Sequence, residues 1–434
     1  MAGELNLKIS LIRDALNAIH INPQPQLMYA LLEATVAGTP ITNTQMPLNL
    51  CLVLDRSGSM SGDKIKNLRD AVHALIDLLQ PTDYLSIVLF DDQVETPVAS
   101  QPATNPAQLH AIVSAIQERG GTQISLGLRQ GLAEIARHAD PNHISKIVML
   151  TDGNSWGDEA ECLALAQQAA QNNAPIIALG LGLPQAIAAP GLPLLGGAMD
   201  DWNHLLLDNL ARASDGASDL IDAPSKIAQV FQAVVKTAHA TVIRNAELVL
   251  RLPAEVTPRQ VWQVSPLIQN LTARALSARE AQVTLGDIDK QTGKAVLVEL
   301  ALPPKPAGKM RIAQAQVTYT VPAAPNPTEP QSERVDVIVE YGVESPLNPH
   351  VANVIERLSA HKLQTRALQD AAAGNVNGAT QKLKQAATQL LNLGEADLAH
   401  AALQEAQNLA QQGKMSAAGT KRLNYGTRKL TVSL

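Results

Sequence analysis

Aromatic residues are nearly absent from this 434-residue chain, which holds two Phe, three Trp and five Tyr. Such a chain offers few platforms on which bases could stack, and its core must be built from Leu, Val, Ile and Ala. Cysteine is equally scarce. Cys51 and Cys162 cannot supply a disulfide framework, so the expected compartment is a reducing one. Positive charge is also thin, with 34 Lys and Arg against 40 Asp and Glu, a net charge of −6. Nucleic-acid binding needs concentrated basic charge, and no basic cluster precedes the short C-terminal tail. No apolar stretch approaches the length of a membrane span. The opening residues, Met1–Lys8, lack a basic segment followed by an apolar one. The expectation is a cytoplasmic protein with neither a membrane span nor a nucleic-acid partner.

What the chain does have is apolar surface, 46% of its residues, arranged in short dense runs. Leu48–Leu54 reads as a strand buried on both faces. It ends in Asp55-Arg56-Ser57-Gly58-Ser59, followed by Gly62 and a helical pattern from Asp63 to Leu79. Ser and Asp cap helices, but Ser61, Gly62 and Asp63 lie closer to this helix start, which leaves Asp55, Ser57 and Ser59 without a structural task. Gly120-Gly121-Thr122 precedes a second amphipathic helix, and Lys146–Leu150 is another buried strand, ending in Thr151-Asp152-Gly153. Ligands of open α/β sheets gather where strands end and helices begin. Carboxylates and small hydroxyls at such a place are hard oxygen donors suited to Mg²⁺, Mn²⁺ or Ca²⁺.

In this order the three motifs resemble the von Willebrand factor A (VWA) family, over roughly residues 46–239, and its metal-ion-dependent adhesion site (MIDAS). The resemblance implies that Asp55, Ser57 and Ser59 match the first motif, Thr122 the threonine and Asp152 the second aspartate. The set would be complete, in a protein of bacterial cytosolic type. It also implies a doubly wound, mostly parallel α/β sheet, in keeping with strands at Tyr84–Phe90, Pro175–Gly180 and Ser218–Ile221 alternating with helices. A Pro-, Gly- and Leu-rich stretch, Leu183–Met199, departs from the family's usual short connection. As a loop after a parallel strand it would place Ile187, Leu192, Leu194, Leu195 and Met199 beside the metal, as a partner-binding surface.

Outside this region the pattern changes. Strand-like runs fill Thr241–Tyr341, separated by turns such as Asp289–Gly293 and Pro303–Gly308, and suggest an antiparallel sandwich. Strands at Glu4–Ile12 and Gln26–Val36 cannot bury a core alone. The expectation is one β-sandwich, made from residues 1–45 and 240–345 and interrupted by the VWA domain at 46–239. Residues 346–434 are Ala- and Gln-rich, with helices at about 349–373, 377–391 and 395–412 ended by Gly374, Gly394 and Gly413. They read as a helical cap on the sandwich, with a tetratricopeptide-like hairpin as the alternative. The basic tail from Lys421 reads as disordered.

The enzyme classes considered do not fit. A dehalogenase-type phosphatase needs a second carboxylate at the position of Ser57. In Gly58-Ser59-Met60-Ser61-Gly62 a methionine occupies the place of a nucleophile elbow's serine. No P-loop or dinucleotide fingerprint is present, and the histidines lack zinc spacing. The expected function is therefore metal-bridged recognition of a partner protein's Asp or Glu, without catalysis. An adaptor role for a MoxR-type AAA+ ATPase or chelatase-like complex, or for a signalling partner, is the alternative.

Overall fold

Every residue of Leu48–Asp55 is buried, as a strand flanked on both sides and covered on both faces must be. The structure is a computed structural model. It describes residues 5–16, 24–36, 46–153, 157–182, 203–272, 277, 279–322 and 329–431. The chain divides into two units, Gln45–His239 and the pair of segments Met1–Thr44 and Ala240–Leu434. The stretch Leu183–Met199, with Ile187, Leu192, Leu194, Leu195 and Met199, lies outside the described residues.

Among the described residues three strands open the chain: β1 (Leu5–Leu11), β2 (Ala15–Leu16) and β3 (Gln26–Val36). The Gln45–His239 unit follows. Its strands are β4 (Leu48–Asp55), β5 (Tyr84–Phe90), β6 (Val94–Pro102), β7 (Ile144–Thr151), β8 (Ile176–Leu181) and β9 (Ala217–Ile221). Its helices are α1 (Asp63–Ile76), α2 (Pro106–Ser114), α3 (Ile124–Ala136), α4 (Glu159–Gln171), α5 (His204–Ala213) and α6 (Ile227–His239). The strand order is β6-β5-β4-β7-β8-β9, parallel except for the antiparallel edge strand β6. This is a doubly wound α/β sheet.

Side chains alternate along β4. Leu48, Leu50, Leu52 and Leu54 join Leu68, Val72 and Leu75 of α1 and Phe231 and Val235 of α6 in one buried cluster. Each such side chain stabilises the fold by roughly 1.5–3 kcal/mol relative to exposure. The opposite face carries Cys51 and Val53, and α3 covers it at very short range. A Cβ added to Gly127 would stand 2.7 Å from Phe90 and 2.9 Å from Val53, and one on Gly131 would stand 2.7 Å from Val53. Only glycine lets the helix backbone settle on the strands this closely.

In the second unit the strands are β10 (Thr241–Arg251), β11 (Thr257–Ser265), β12 (Gln269–Asn270), β13 (Glu280–Asp289), β14 (Lys294–Leu302), β15 (Gly308–Thr320) and β16 (Gln331–Tyr341). Among the described residues they form two five-stranded sheets, β1-β3-β14-β11-β12 and β13-β10-β15-β16-β2. The N-terminal segment is thus hydrogen-bonded into both: β3 pairs with β14 from Lys294↔Ala34 to Leu302↔Gln26, and β2 with β16. One buried cluster draws on both sheets, including Met28, Leu32, Val296 and Leu300 from the first and Leu248, Val317 and Val339 from the second.

Four helices end the chain: α7 (Pro349–Ala372), α8 (Val376–Asn392), α9 (Ala396–Gln412) and α10 (Ala417–Arg428). Asn348 caps α7 by accepting from the His350 and Val351 amides, with Pro349 in the first turn. Leu31, Trp262, Val264, Ile268 and Leu297 of the first sheet share a buried cluster with Val351, Val354, Leu358, Leu383 and Leu409 of the helices. The tail corrects the sequence reading. It is helix α10, capped by Ser416, with Lys421, Leu423, Tyr425 and Thr427 buried. Their every-second-residue pattern resembles a strand, but the helix is enclosed on more than one side. The side chain of Glu405 on α9 accepts from Ser416 N–H and Oγ–H, both at 2.7 Å.

His361 of α7 is buried, with Nδ1 2.9 Å from Thr427 Oγ1. Burial first, then the charges of Arg428 and Lys362, push its pKa down to about 3. The unfolded chain takes up this proton near the ordinary value of 6.5 and the folded chain does not. The stability associated with neutral His361 is therefore full above pH 6.5 and lost as pH falls toward 3. Acid-dependent denaturant melts should show this loss in wild type and a shallower one in His361→Gln.

Candidate functional site

The first strand of the α/β unit, β4, lies at its centre, and the chain winds outward from it in opposite directions. It runs to β5 and β6 on one side, then crosses to β7, β8 and β9 on the other. The connections that leave β4 and β7 therefore diverge, opening a crevice at their carboxyl ends, where ligands bind in doubly wound sheets. Asp55 is the last residue of β4, and Asp152 immediately follows β7.

Four of the five residues singled out from sequence form one hydrogen-bonded chain there. Asp55 is fully buried, with Oδ1 accepting from the Ser57 amide at 2.8 Å and Oδ2 from Thr151 Oγ1 at 2.5 Å. Ser57 Oγ and Ser59 Oγ are 3.0 Å apart, and Ser59 Oγ donates to Asp152 Oδ1 at 2.6 Å. Asp152 is also buried, and its Oδ2 receives the Lys64 ammonium at 2.5 Å. The fifth, Thr122, is half-buried and stands against the Asp152 loop: a Cβ on Gly153 would lie 3.0 Å from Thr122 Oγ1. Among the described residues no group of three or more His, Cys, Asp and Glu side chains is disposed to hold a metal. The donors gathered here are instead two carboxylates and three hydroxyls, all hard oxygen.

Electrostatics favours a cation between those carboxylates. Burial pushes the Asp55 carboxyl up to about 6, and the charge of Asp152 adds to this, against the hydrogen bonds from Ser57 and Thr151. A buried carboxylate raised in this way gains from any positive charge brought near it. Lys64 supplies one to Asp152. The donor set fits a small divalent cation, which Asp55, Ser57, Ser59, Thr122 and Asp152 would hold among them.

The residues that shape the crevice are ones the motifs do not name. Asp91, fully buried after β5, accepts at Oδ2 from Arg56 Nε at 2.8 Å and Arg119 Nε at 3.1 Å. Its Oδ1 accepts the Gln93 amide at 2.7 Å, and its carbonyl accepts the Gln123 amide at 2.8 Å. Burial works to raise its pKa, but bonds from the Gln93 backbone, Asp92, Arg56 and Arg119 outweigh that and hold it below its ordinary value. Arg56 lies between Asp55 and Ser57, while Arg119 and Gln123 bracket Thr122. The two loops also meet directly, through Arg119 N–H to the Arg56 carbonyl at 2.6 Å and Gly58 N–H to the Gly120 carbonyl at 3.1 Å. One carboxylate thus sets the spacing of two donor loops. The adjacent pair Asp91-Asp92 was visible after its strand, but nothing local marked its partners.

Comparison with known proteins places these features in context. Residues 49–204 match the von Willebrand factor type A domain model, and residues 349–433 match that of the Sll0103-like C-terminal alpha-helical domain. The Synechocystis protein sll0103 is 32% identical over 284 residues, covering 64% of this chain and 63% of that protein. Inter-alpha-trypsin inhibitor heavy chain H3 of Rattus norvegicus is 28% identical over 215 residues, 47% of this chain and 22% of its own length. The matched regions thus span less than two thirds of these relatives. Among solved structures, a von Willebrand factor type A protein from Catenulispora acidiphila superposes with a TM-score of 0.77 at 18% identity, covering 99% of this chain and 97% of that one. The ArnB paralog VWA2 from Sulfolobus acidocaldarius follows at 0.55 and 13%, covering all of both chains. These two likenesses concern the fold.

Replacing Asp91 tests the clamp. Asp91→Asn leaves the Arg56 guanidinium, 7% exposed, with the half-exposed Glu95 at 2.7 Å as its remaining counter-charge, and should cost about 1–3 kcal/mol of stability in denaturant melts. Arg119 is half exposed, and Arg119→Ala should cost at most about 1 kcal/mol.

Proposed function

We propose, from the von Willebrand factor type A domain that the chain carries at residues 49–204, that this protein binds a partner protein through a crevice-held divalent cation. VWA domains are protein-interaction modules that often bind such a metal. On this reading Asp55, Ser57, Ser59, Thr122 and Asp152 are a complete MIDAS, and Mg²⁺ is the resident ion. An Asp or Glu side chain of the partner completes its coordination. The observation that carries the reading is the convergence of two buried carboxylates and three hydroxyls from three loops at the switch point of the sheet.

The chain's own residues then divide the work. Asp55 is held by Thr151 and the Ser57 amide, so its orientation is fixed before any ligand arrives. Ser59, the exposed member, faces the approach of a partner. The protein binds and does not turn over a substrate: the crevice groups named above hold one another, and none of them is a histidine placed as a general base. No described helix is long and apolar enough to cross a membrane. A reducing, cytoplasmic setting fits two buried free thiols. The two five-stranded sheets are read as a single β-sandwich into which the VWA domain is inserted.

Thermal melts with Mg²⁺ and with EDTA should differ for wild type, by about 2.7 kcal/mol at a hundredfold excess over the dissociation constant. They should coincide for Asp55→Ala. Capture of a partner from native lysate should weaken in Thr122→Ala and Asp152→Ala and in wild type with chelator. Capture that survives both Asp55→Ala and EDTA would move the binding site elsewhere, and phosphatase or nucleotidase activity lost in Asp55→Ala would overturn the non-enzyme reading. Removing residues 1–45 should expose sheet edges and cause aggregation. A soluble, cooperatively folding 46–434 chain would refute the inserted sandwich.

A further inference from the structure

Two histidines of the α/β unit carry an arrangement the crevice does not use. His73 comes from α1 and His110 from α2, and their Nδ1 atoms lie 2.8 Å apart. His73 is ten residues beyond Asp63, or about 15 Å along α1 from its crevice end.

The protons on this pair can be assigned from its surroundings. His110 Nε2 is 3.0 Å from Asp77 Oδ1. An ionised carboxylate only accepts, so the proton of neutral His110 is on Nε2. His73 Nε2 is 3.3 Å from Ser114 Oγ, whose own proton goes to the His110 carbonyl oxygen at 2.9 Å. A serine hydroxyl has one proton, so His73 Nε2 is the donor in that contact. With the Asp77 and Ser114 contacts both made, the two neutral rings turn bare Nδ1 lone pairs toward the same space; the competing arrangement, a His73 Nδ1–H donated to His110 Nδ1, gives up the 3.3 Å Ser114 contact. Lone pairs at this separation repel unless a cation lies between or beside them. A proton is disfavoured in that role: burial lowers the pKa of His73, with His110 and Arg69 adding to the effect against Asp70 and Asp77.

We propose that His73 and His110 form a two-imidazole site for a divalent transition-metal ion, ligated through both Nδ1 atoms and completed by water. Imidazole nitrogen suits Zn²⁺, Cu²⁺ and Ni²⁺ and not the hard cation of the crevice. Two nitrogens bound at right angles, as in the tetragonal geometry of Cu²⁺ and Ni²⁺, are about 2.9 Å apart, and on tetrahedral Zn²⁺ about 3.3 Å apart, so the 2.8 Å pair would open by about half an ångström to take Zn²⁺. Asp77 supplies the outer carboxylate that metal-bound histidines commonly engage through their second nitrogen, and Ser114 does the same for His73. The side chain of His110 is 31% exposed, which gives water and metal access.

The site stands apart from the crevice reading and is tested apart from it. Zn²⁺ is titrated into the full chain after chelator treatment and dialysis, with Mg²⁺ in excess throughout. Imidazole tautomers are followed by long-range ¹H–¹⁵N NMR. The metal-free protein should show both rings as Nε2–H tautomers, and Zn²⁺ should shift both Nδ1 resonances. His73→Gln and His110→Gln should each weaken Zn²⁺ binding by about tenfold or more, and Asp77→Asn by about tenfold, the usual effect of losing an outer carboxylate. An Nδ1–H tautomer on either ring before metal is added would overturn the proposal. So would Zn²⁺ affinity that is unchanged in both histidine variants, or Zn²⁺ displaced by the excess Mg²⁺.

Discussion

Neighbouring parallel strands that each deliver a carboxylate to the same edge place two negative charges in a poorly solvated space. The structure meets this burden with local positive character. Thr151 and the Ser57 amide donate to Asp55, while Ser59 and Lys64 serve Asp152. Burial still leaves Asp55 with a carboxyl raised to about 6. Everything around the crevice follows from the need to hold these groups together: the divergent connections, the hydroxyl-bearing turn and the guanidinium pair on Asp91. At the opposite edge of the sheet another buried carboxylate, Asp83, is satisfied quite differently. It accepts from the Leu48 and Gln80 amides and pairs with His239. The contrast separates a carboxylate that fastens strand and helix ends from carboxylates gathered with small hydroxyls at the switch point of the sheet.

Asp91 shows how a residue outside the donor set can determine its geometry. Ser57 and Thr122 belong to loops more than sixty positions apart, and both loops are referred to one buried side chain. The Arg56 bond lies in a low-dielectric setting, where charge-assisted bonds are strong and directional, while Arg119 reaches the same carboxylate from the half-exposed side.

The α/β sheet and the crevice donors were legible because their signals are local. A dense apolar run ending in Asp-x-Ser-x-Ser, and another ending in Thr-Asp-Gly, mark strand and site together. Lys64 and the partners of Asp91 were not legible, because their roles arise from contacts between remote segments and no spacing announces them. The C-terminal tail failed for another reason. Lys421, Arg422, Arg428 and Lys429 suggested a solvated segment, and alternating burial of Leu423, Tyr425 and Thr427 mimics a strand. A helix enclosed on several sides loses the one-faced periodicity by which helices are recognised.

The two glycines of α3 bear on how this unit can move. A helix that rests on a sheet through interlocking side chains can slide by small rotamer changes, the shear motion of packed layers. At Gly127 and Gly131 there is no such cushion, since the helix backbone meets Phe90 and Val53 directly. Displacement along or across the strands would drive main chain into side chain at both points. The Thr122 side of the crevice is therefore an anvil, and any adjustment to an arriving ligand falls to the opposite wall, where Ser59 stands in solvent.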